Sequence, residues 1–181
     1  MVWNDLIIGK YVRLRSIEDL EDDVAFSLEI RQNENKTRYL HRVENNSEQQ
    51  RSWIQKQRKR EGDYFFIIEQ PSGKKVGTVG IYDIEDRVAQ IGRVLMIGNP
   101  VETFESQLLA MQFAYEKLGI EELFSIICLE NAASIRLAKA LEFHFGDPIF
   151  LNEAREQVYQ GWAYKSEFPI CKERISKLIY R

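Results

Sequence analysis

The sequence predicts a mixed α+β domain in which a mostly antiparallel central sheet is flanked by helices on both faces. Three observations lead there. Residues 64–97 contain alternating or continuous apolar runs separated by turn chemistry at Pro71, Ser72 and Gly73 and at Glu85 and Asp86, the pattern of an antiparallel meander. Residues 88–129 read strand, long helix, apolar strand, which calls for a parallel pair joined by a right-handed crossover. Helical spacing recurs before, within and after that unit, and 181 residues suit one domain.

Residues 11–15 alternate apolar and basic side chains and predict a strand. Ser16 is placed to cap a helix, with Asp19 and Glu21 near its positive end and Ile17, Leu20, Val24 and Leu28 at helical spacing. Residues 32–46 are polar and aperiodic, a loop or short helix. Ser47 followed by Gln50 is a capping-box pattern that opens a helix with Trp53 and Ile54. That helix ends in the basic residues Lys56, Arg58, Lys59 and Arg60, a solvated end that suits the dipole, before Gly62 and Asp63 break it.

Residues 64–68 read as a buried strand, 75–82 as an alternating one, and 88–97 as a third, ended by Gly98, Asn99 and Pro100. A strong helix begins at Thr103 or Phe104, with Leu108, Met111, Tyr115 and Leu118 on one face and Gly119 just past its end. Residues 123–129 form an apolar strand. Asn131 caps a short helix to Leu141 whose apolar side is Ile135, Leu137 and Ala138. A last strand over 156–164 precedes a polar helix or loop.

Composition narrows the function. Lys and Arg number 25 against 28 Asp and Glu, a formal net charge of −3, which does not advertise a nucleic-acid binder. Cys128 and Cys171 lie outside any CxxC or Cys/His cluster, so neither a disulfide framework nor a metal site is expected. Cys128, inside an apolar run, reads as a small core residue. No segment approaches the ~20 apolar residues of a membrane span, and residues 1–15 hold no signal-peptide core. A cytoplasmic protein is the default expectation.

The segment from Ile91 to Pro100, the helix after it, the strand 123–129 and the stretch from Glu130 to Phe143 resemble the GNAT superfamily of acetyltransferases, in particular its RimJ/RimL-like branch. Asn131 and Ser134 match an Asn-x-x-Ser motif, and Phe143 falls at the spacing of that branch. Residues 47–53 also resemble the second helix of bacterial amine and amino-sugar acetyltransferases, and the resemblance spans roughly residues 11–143. It implies an acetyl-CoA-dependent N-acetyltransferase acting on a primary amine of a small molecule, such as an amino sugar or polyamine, by direct attack on the thioester. Acetylation of a protein N-terminus, or a degenerate domain that only binds, remains open. A homodimer is expected by analogy.

The resemblance assigns roles that elementary chemistry makes sensible. Val94, Leu95, Met96 and Ile97 form a strand edge that can pair with the amides of the pantetheine arm. Amides from Thr103, Phe104, Glu105, Ser106 and Gln107, at a helix start, suit a pyrophosphate. Asn131, Ser134 and Arg136 face the coenzyme from the next helix, Asn131 reaching the arm or the acetyl end. A backbone N–H at Leu95 or Met96 can stabilise the oxyanion.

The sequence departs from the pattern in three places. The loop lacks the family's glycines, and Glu102 and Glu105 lie where phosphates are expected, so those carboxylates must point away or pair. Glu142 replaces a glycine, and Ala138 stands where relatives place a tyrosine acid. On the acceptor side Asp83 is a candidate base beside Tyr82, while Tyr39, His41 and Arg93 can line the amine pocket. Trp53 reads as rim packing and His144 as an exposed turn residue.

Overall fold

The structure, a computed structural model, describes residues 1–32, 45–151 and 156–180. Among them are nine strands in one sheet and five helices. In chain order the strands are β1 (Ile7–Ile8), β2 (Arg13–Ser16), β3 (Tyr64–Glu69), β4 (Lys75–Glu85), β5 (Val88–Met96), β6 (Glu122–Cys128), β7 (His144–Phe145), β8 (Ile149–Leu151) and β9 (Glu156–Tyr164). The helices are α1 (Glu21–Gln32), α2 (Ser47–Lys59), α3 (Pro100–Glu116), α4 (Ala132–Ala140) and α5 (Phe168–Ile179). The sheet runs β1-β2-β3-β4-β5-β6-β9-β7, with β8 also on β9. Every pair is antiparallel except β5 and β6, as the meander and the crossover unit require.

Helices cover both faces, and β3 shows why its six residues are all buried. Tyr64, Phe66 and Ile68 enter a core with α3 and α5, whereas Phe65 and Ile67 enter a second one with α1 and α2. Alternate side chains of a strand point to opposite faces, so in a strand covered on both sides residues 64–68 are all apolar, and the buried Glu69 at its end is paired with Arg13 and Arg15. Phe113 of α3 is the hub of the larger core, with the rings of Trp3, Tyr64 and Phe66 edge-on at 5.0, 5.4 and 5.2 Å.

Several local expectations are corrected. Ser16 is not a cap but the last residue of β2, where its hydroxyl donates to the carbonyl of Trp3 at 3.0 Å and accepts from that residue's N–H at 2.9 Å. α1 starts at Glu21 behind the acidic cluster Glu21, Asp22 and Asp23. Asn46 rather than Ser47 caps α2, accepting from the Gln49 N–H at 3.0 Å.

α3 begins at Pro100, before the expected Thr103. The reason is a capping box one turn earlier: Asn99 accepts from the Glu102 N–H at 3.0 Å, and the Glu102 carboxylate accepts from the Asn99 N–H at 2.8 Å. Pro100, at the first helical position, carries the φ that position needs. The polar tail proves to be an amphipathic helix, α5, burying Phe168, Cys171, Ile175 and Ile179 at helical spacing. No helix among the described residues is long and apolar enough to cross a membrane.

Glu105 is fully buried, and its carboxylate ties three parts of the chain together. It accepts from the backbone N–H groups of Lys10, Tyr11 and Val12 at 2.7–2.8 Å and from the Tyr180 hydroxyl at 2.6 Å. Gly9 makes room for it, since a Cβ there would lie 2.7 Å from the carboxylate.

Glu105→Ala strands those amides and should cost roughly 3 kcal/mol, and Tyr180→Phe about 1.5 kcal/mol, read as a lower urea midpoint at unchanged slope. Burial raises the Tyr115 phenol, and burial followed by Glu105 raises Tyr180. Both contribute stability that is fully present below the unfolded tyrosine value of about 10 and lost as pH rises past it. Melting temperatures taken from pH 8 upward should therefore fall on the alkaline side, and less steeply in Tyr180→Phe.

Candidate active site

The parallel ladder between β5 and β6 is short. It pairs Val88, Ala89 and Gln90 with Glu122, Leu123 and Phe124, and then stops. Beyond that point β5 continues beside β4 as far as Met96, while β6 continues beside β9 to Cys128. The two strands diverge, and between them opens a cleft of about 760 Å³. Its walls are β5 from Ile91 to Met96, the end of β6, the first turns of α3 and the start of α4.

A β-bulge sits where the strands part. Thr78 faces Leu95 and Gly80 faces Gly92, so β5 has one residue more than β4 in this interval. Arg93 lies in it with φ 53, a left-handed conformation that a non-glycine residue holds only when its surroundings fix it. Two buried partners do so. The Thr78 hydroxyl donates to the Arg93 carbonyl at 2.8 Å, and the Asp63 carboxylate takes both terminal nitrogens of the guanidinium, one at 3.0 Å.

Asp63 is held in turn by the Gln57 amide at 3.0 Å. The guanidinium also lies 3.9 Å from the centre of the Tyr82 ring, with Trp53 and Phe65 at 5.5 and 5.7 Å. Gly92 is required here, since a Cβ would collide with the Tyr82 hydroxyl. Burial raises the Tyr82 phenol, against the pull of Arg93.

The mouth of α3 is closed by its own side chains. The capping box takes the amides of Asn99 and Glu102, and the Thr103 N–H is bonded to the Asn99 carbonyl at 3.0 Å. Amides of 104–107 lie past the first turn, inside the helical ladder, so the residues expected to meet phosphates through their amides have those amides engaged within α3. The Glu102 carboxylate is buried, accepting also from the Gln70 amide at 2.6 Å, and neither it nor Glu105 lines the cleft. Among the described residues, the charged side chains that line it are Arg93 and Arg136.

Residues 12–144 match the model of the acetyltransferase (GNAT) domain. The chain belongs to the GNAT acetyltransferase family. Solved structures share the fold at low identity. A GCN5-related N-acetyltransferase from Brucella melitensis superposes with a TM-score of 0.83 at 21% identity, covering 98% of this chain and 86% of its own. FdhC, a nucleotide-linked sugar GNAT, gives 0.77 at 20% identity over 93% and 95%. The spermidine N-acetyltransferase of Vibrio cholerae, solved with CoA and spermine, gives 0.75 at 16% identity over 89% and 99%.

Within this GNAT domain, the expected site residues fall into three groups. Val94, Leu95, Met96, Thr103, Phe104, Gln107, Asn131, Ser134 and Arg136 line the cleft, together with Arg93. Asn131 caps α4, accepting from the Ser134 N–H at 3.1 Å, and Ala138 is buried. Ile97, Glu105, Ser106, Tyr82 and Asp83 are not in the lining. The Ile97 amide is bonded to the Val76 carbonyl at 2.9 Å, and the buried Ser106 donates to the Thr103 carbonyl at 2.8 Å. Asp83 is exposed, at a ladder irregularity near the β4–β5 turn with φ 52. Tyr39 and His41 lie outside the described residues.

Cys128 is not core: it is half-buried and lines the cleft, though burial raises its thiol and disfavours the thiolate. His144 is exposed, as expected, 2.7 Å from Glu167. No cluster of metal-ligating side chains occurs among the described residues.

Sequence reasoning missed Asp63 and Thr78. Asp63 follows a glycine at a helix break and reads as turn chemistry, and Thr78 is one of several alternating strand residues. Only the fold brings both to Arg93. Asp63→Asn should lower kcat roughly tenfold, by letting the bulge relax, while the KM for acetyl-CoA stays within about threefold. Thr78→Val should show the same split more weakly, with far-UV circular dichroism unchanged in both.

Proposed function

We propose that this domain is an acetyl-CoA-dependent N-acetyltransferase that modifies a primary amine of a small molecule. The observation that carries the reading is the cleft between β5 and β6. A strand edge without a partner ladder is suited to the amides of a pantetheine arm, which hydrogen-bond as a neighbouring strand would. The residues present fit such a ligand: the described lining holds no carboxylate, and Arg136 offers a guanidinium to a phosphate. When bound, acetyl-CoA supplies the acetyl group as an activated thioester.

The chain's own part is then placement. Val94, Leu95 and Met96 hold the arm, Asn131 and Ser134 border it at the start of α4, and an N–H at Leu95 or Met96 faces the charge that develops on the acetyl oxygen. Transfer is direct. The thiol in the cleft, Cys128, is held in its protonated form and is a poor nucleophile for a covalent relay. The Asn131-x-x-Ser134 motif supports the RimJ/RimL-like branch.

The similar structures include a spermidine N-acetyltransferase bound to CoA and spermine and a nucleotide-linked sugar GNAT, and both support a small-molecule substrate. The test is isothermal calorimetry with CoA followed by a thiol-release assay over amine acceptors. Micromolar to low-millimolar binding, weakened roughly tenfold by Arg136→Ala, is expected. No heat and no rise in melting temperature at several millimolar CoA would leave a binding module of another kind.

A further inference from the structure

Arg31 sits on the last turn of α1, next to Ile30, which is buried in the core that also holds Phe65 and Leu95. Trp53 packs against that core, and Trp53 and Phe65 are two of the three rings around the Arg93 guanidinium. The end of α1, the α2 tryptophan and the bulge of β5 therefore meet on one face of the sheet, beside the point where the cleft begins.

Charge in this corner is unbalanced. Asp63 is fully engaged by Arg93, Arg60 and Gln57. Arg31 is half-buried and has no hydrogen-bond or ion-pair partner among the described residues. Burial, and then the positive charge of Arg93, both act against its ionised form. Its place at a helix C-terminus works the other way, because the helix dipole favours a cation there. A guanidinium does not lose its proton in a protein, so among the described residues Arg31 stays an unpaired positive charge in this corner.

Resting on the acetyltransferase reading, we propose that the acceptor is an amine that also carries an anionic group, a carboxylate or a phosphate, recognised by Arg31 with Arg93 beside it. A polyamine is the wrong partner for this corner. Among the described residues, each of its ammonium groups would meet the guanidiniums of Arg31 and Arg93, with the Asp63 carboxylate already paired and the exposed Asp83 the other acid near Tyr82. A carboxylate or phosphate, by contrast, accepts two N–H groups from one guanidinium and removes the imbalance. The half-buried rings of Tyr82 and Trp53 then pack the body of the acceptor.

The experiment is a steady-state comparison with full-length protein and acetyl-CoA, using glucosamine, a phosphate ester of glucosamine, aminobutyrate and spermidine as acceptors. At least one anionic acceptor should exceed glucosamine in kcat/KM by about tenfold, with spermidine lowest. Comparing the phosphate ester with aminobutyrate tells phosphate from carboxylate. Arg31→Gln should raise the KM of the preferred anionic acceptor about ten- to hundredfold and leave the KM for acetyl-CoA and the rate with glucosamine unchanged, and Arg31→Lys should recover part of the loss.

Spermidine as the best acceptor, no advantage for either anionic amine, or an Arg31→Gln variant weakened equally on every acceptor would each overturn the inference. In all three the acetyltransferase reading survives if acetyl-CoA binds in calorimetry. Absence of that binding removes both.

Discussion

The cleft depends on how one residue of β5 is held. Arg93 takes a left-handed backbone conformation that costs on the order of 1–3 kcal/mol, and it persists because Thr78 grips its carbonyl and Asp63 its side chain. That extra residue bends β5 away from its neighbour just after the three-residue parallel ladder. If the strand ran on in register, β5 and β6 would pair to their ends. The backbone edge that offers hydrogen bonds to a ligand would then be spent on the sheet. The same residue places its Asp63-paired guanidinium at the start of the cleft, so one conformation fixes the shape of the site and the position of that ion pair.

The two glutamates near α3 show how position changes the meaning of a charge. In the sequence they stand where phosphates are expected and argue against an anion. In the fold each has been taken over by backbone amides. Glu102 caps its own helix, and Glu105 gathers the β1–β2 turn and the end of α5. Their burial removes the repulsion, but Glu102 also uses the amides that an uncapped helix would offer. Under the proposed reading, the coenzyme's anionic end relies on Arg136, which lines the cleft, more than on the helix mouth.

Much of the fold was legible in the chain. The alternation over 75–82, the apolar run over 64–68 and the helical face through Leu108, Met111 and Tyr115 place β4, β3 and α3, because each is a periodic pattern enforced by burial. Element ends were read less well. Ser16 and Ser47 look like caps, but the chain uses Asn46 at α2, and Ser16 stays in the sheet. Asn99 was read as a strand terminator, so the start of α3 was placed too late. The tail over 168–179 looks polar because its apolar residues occupy one narrow stripe.

For the site, Asn131 and Ser134 of the Asn-x-x-Ser motif and, in the strand before the long helix, Val94, Leu95 and Met96 lie along the cleft between β5 and β6. Asp63 was invisible because it lies thirty residues from the arginine it holds, and nothing local marks the pair. Arg31 lies in no motif, and nothing in its sequence surroundings marks it.

If the edge of β5 past Gln90 receives CoA, the coenzyme should shield that backbone from solvent. Amide hydrogen exchange followed by mass spectrometry, with and without CoA, should then show slower exchange confined to peptides covering 91–98 and 125–136, with α5 and the β1–β2 turn unchanged. Protection elsewhere with none in 91–98, at a CoA concentration that saturates binding, would contradict it.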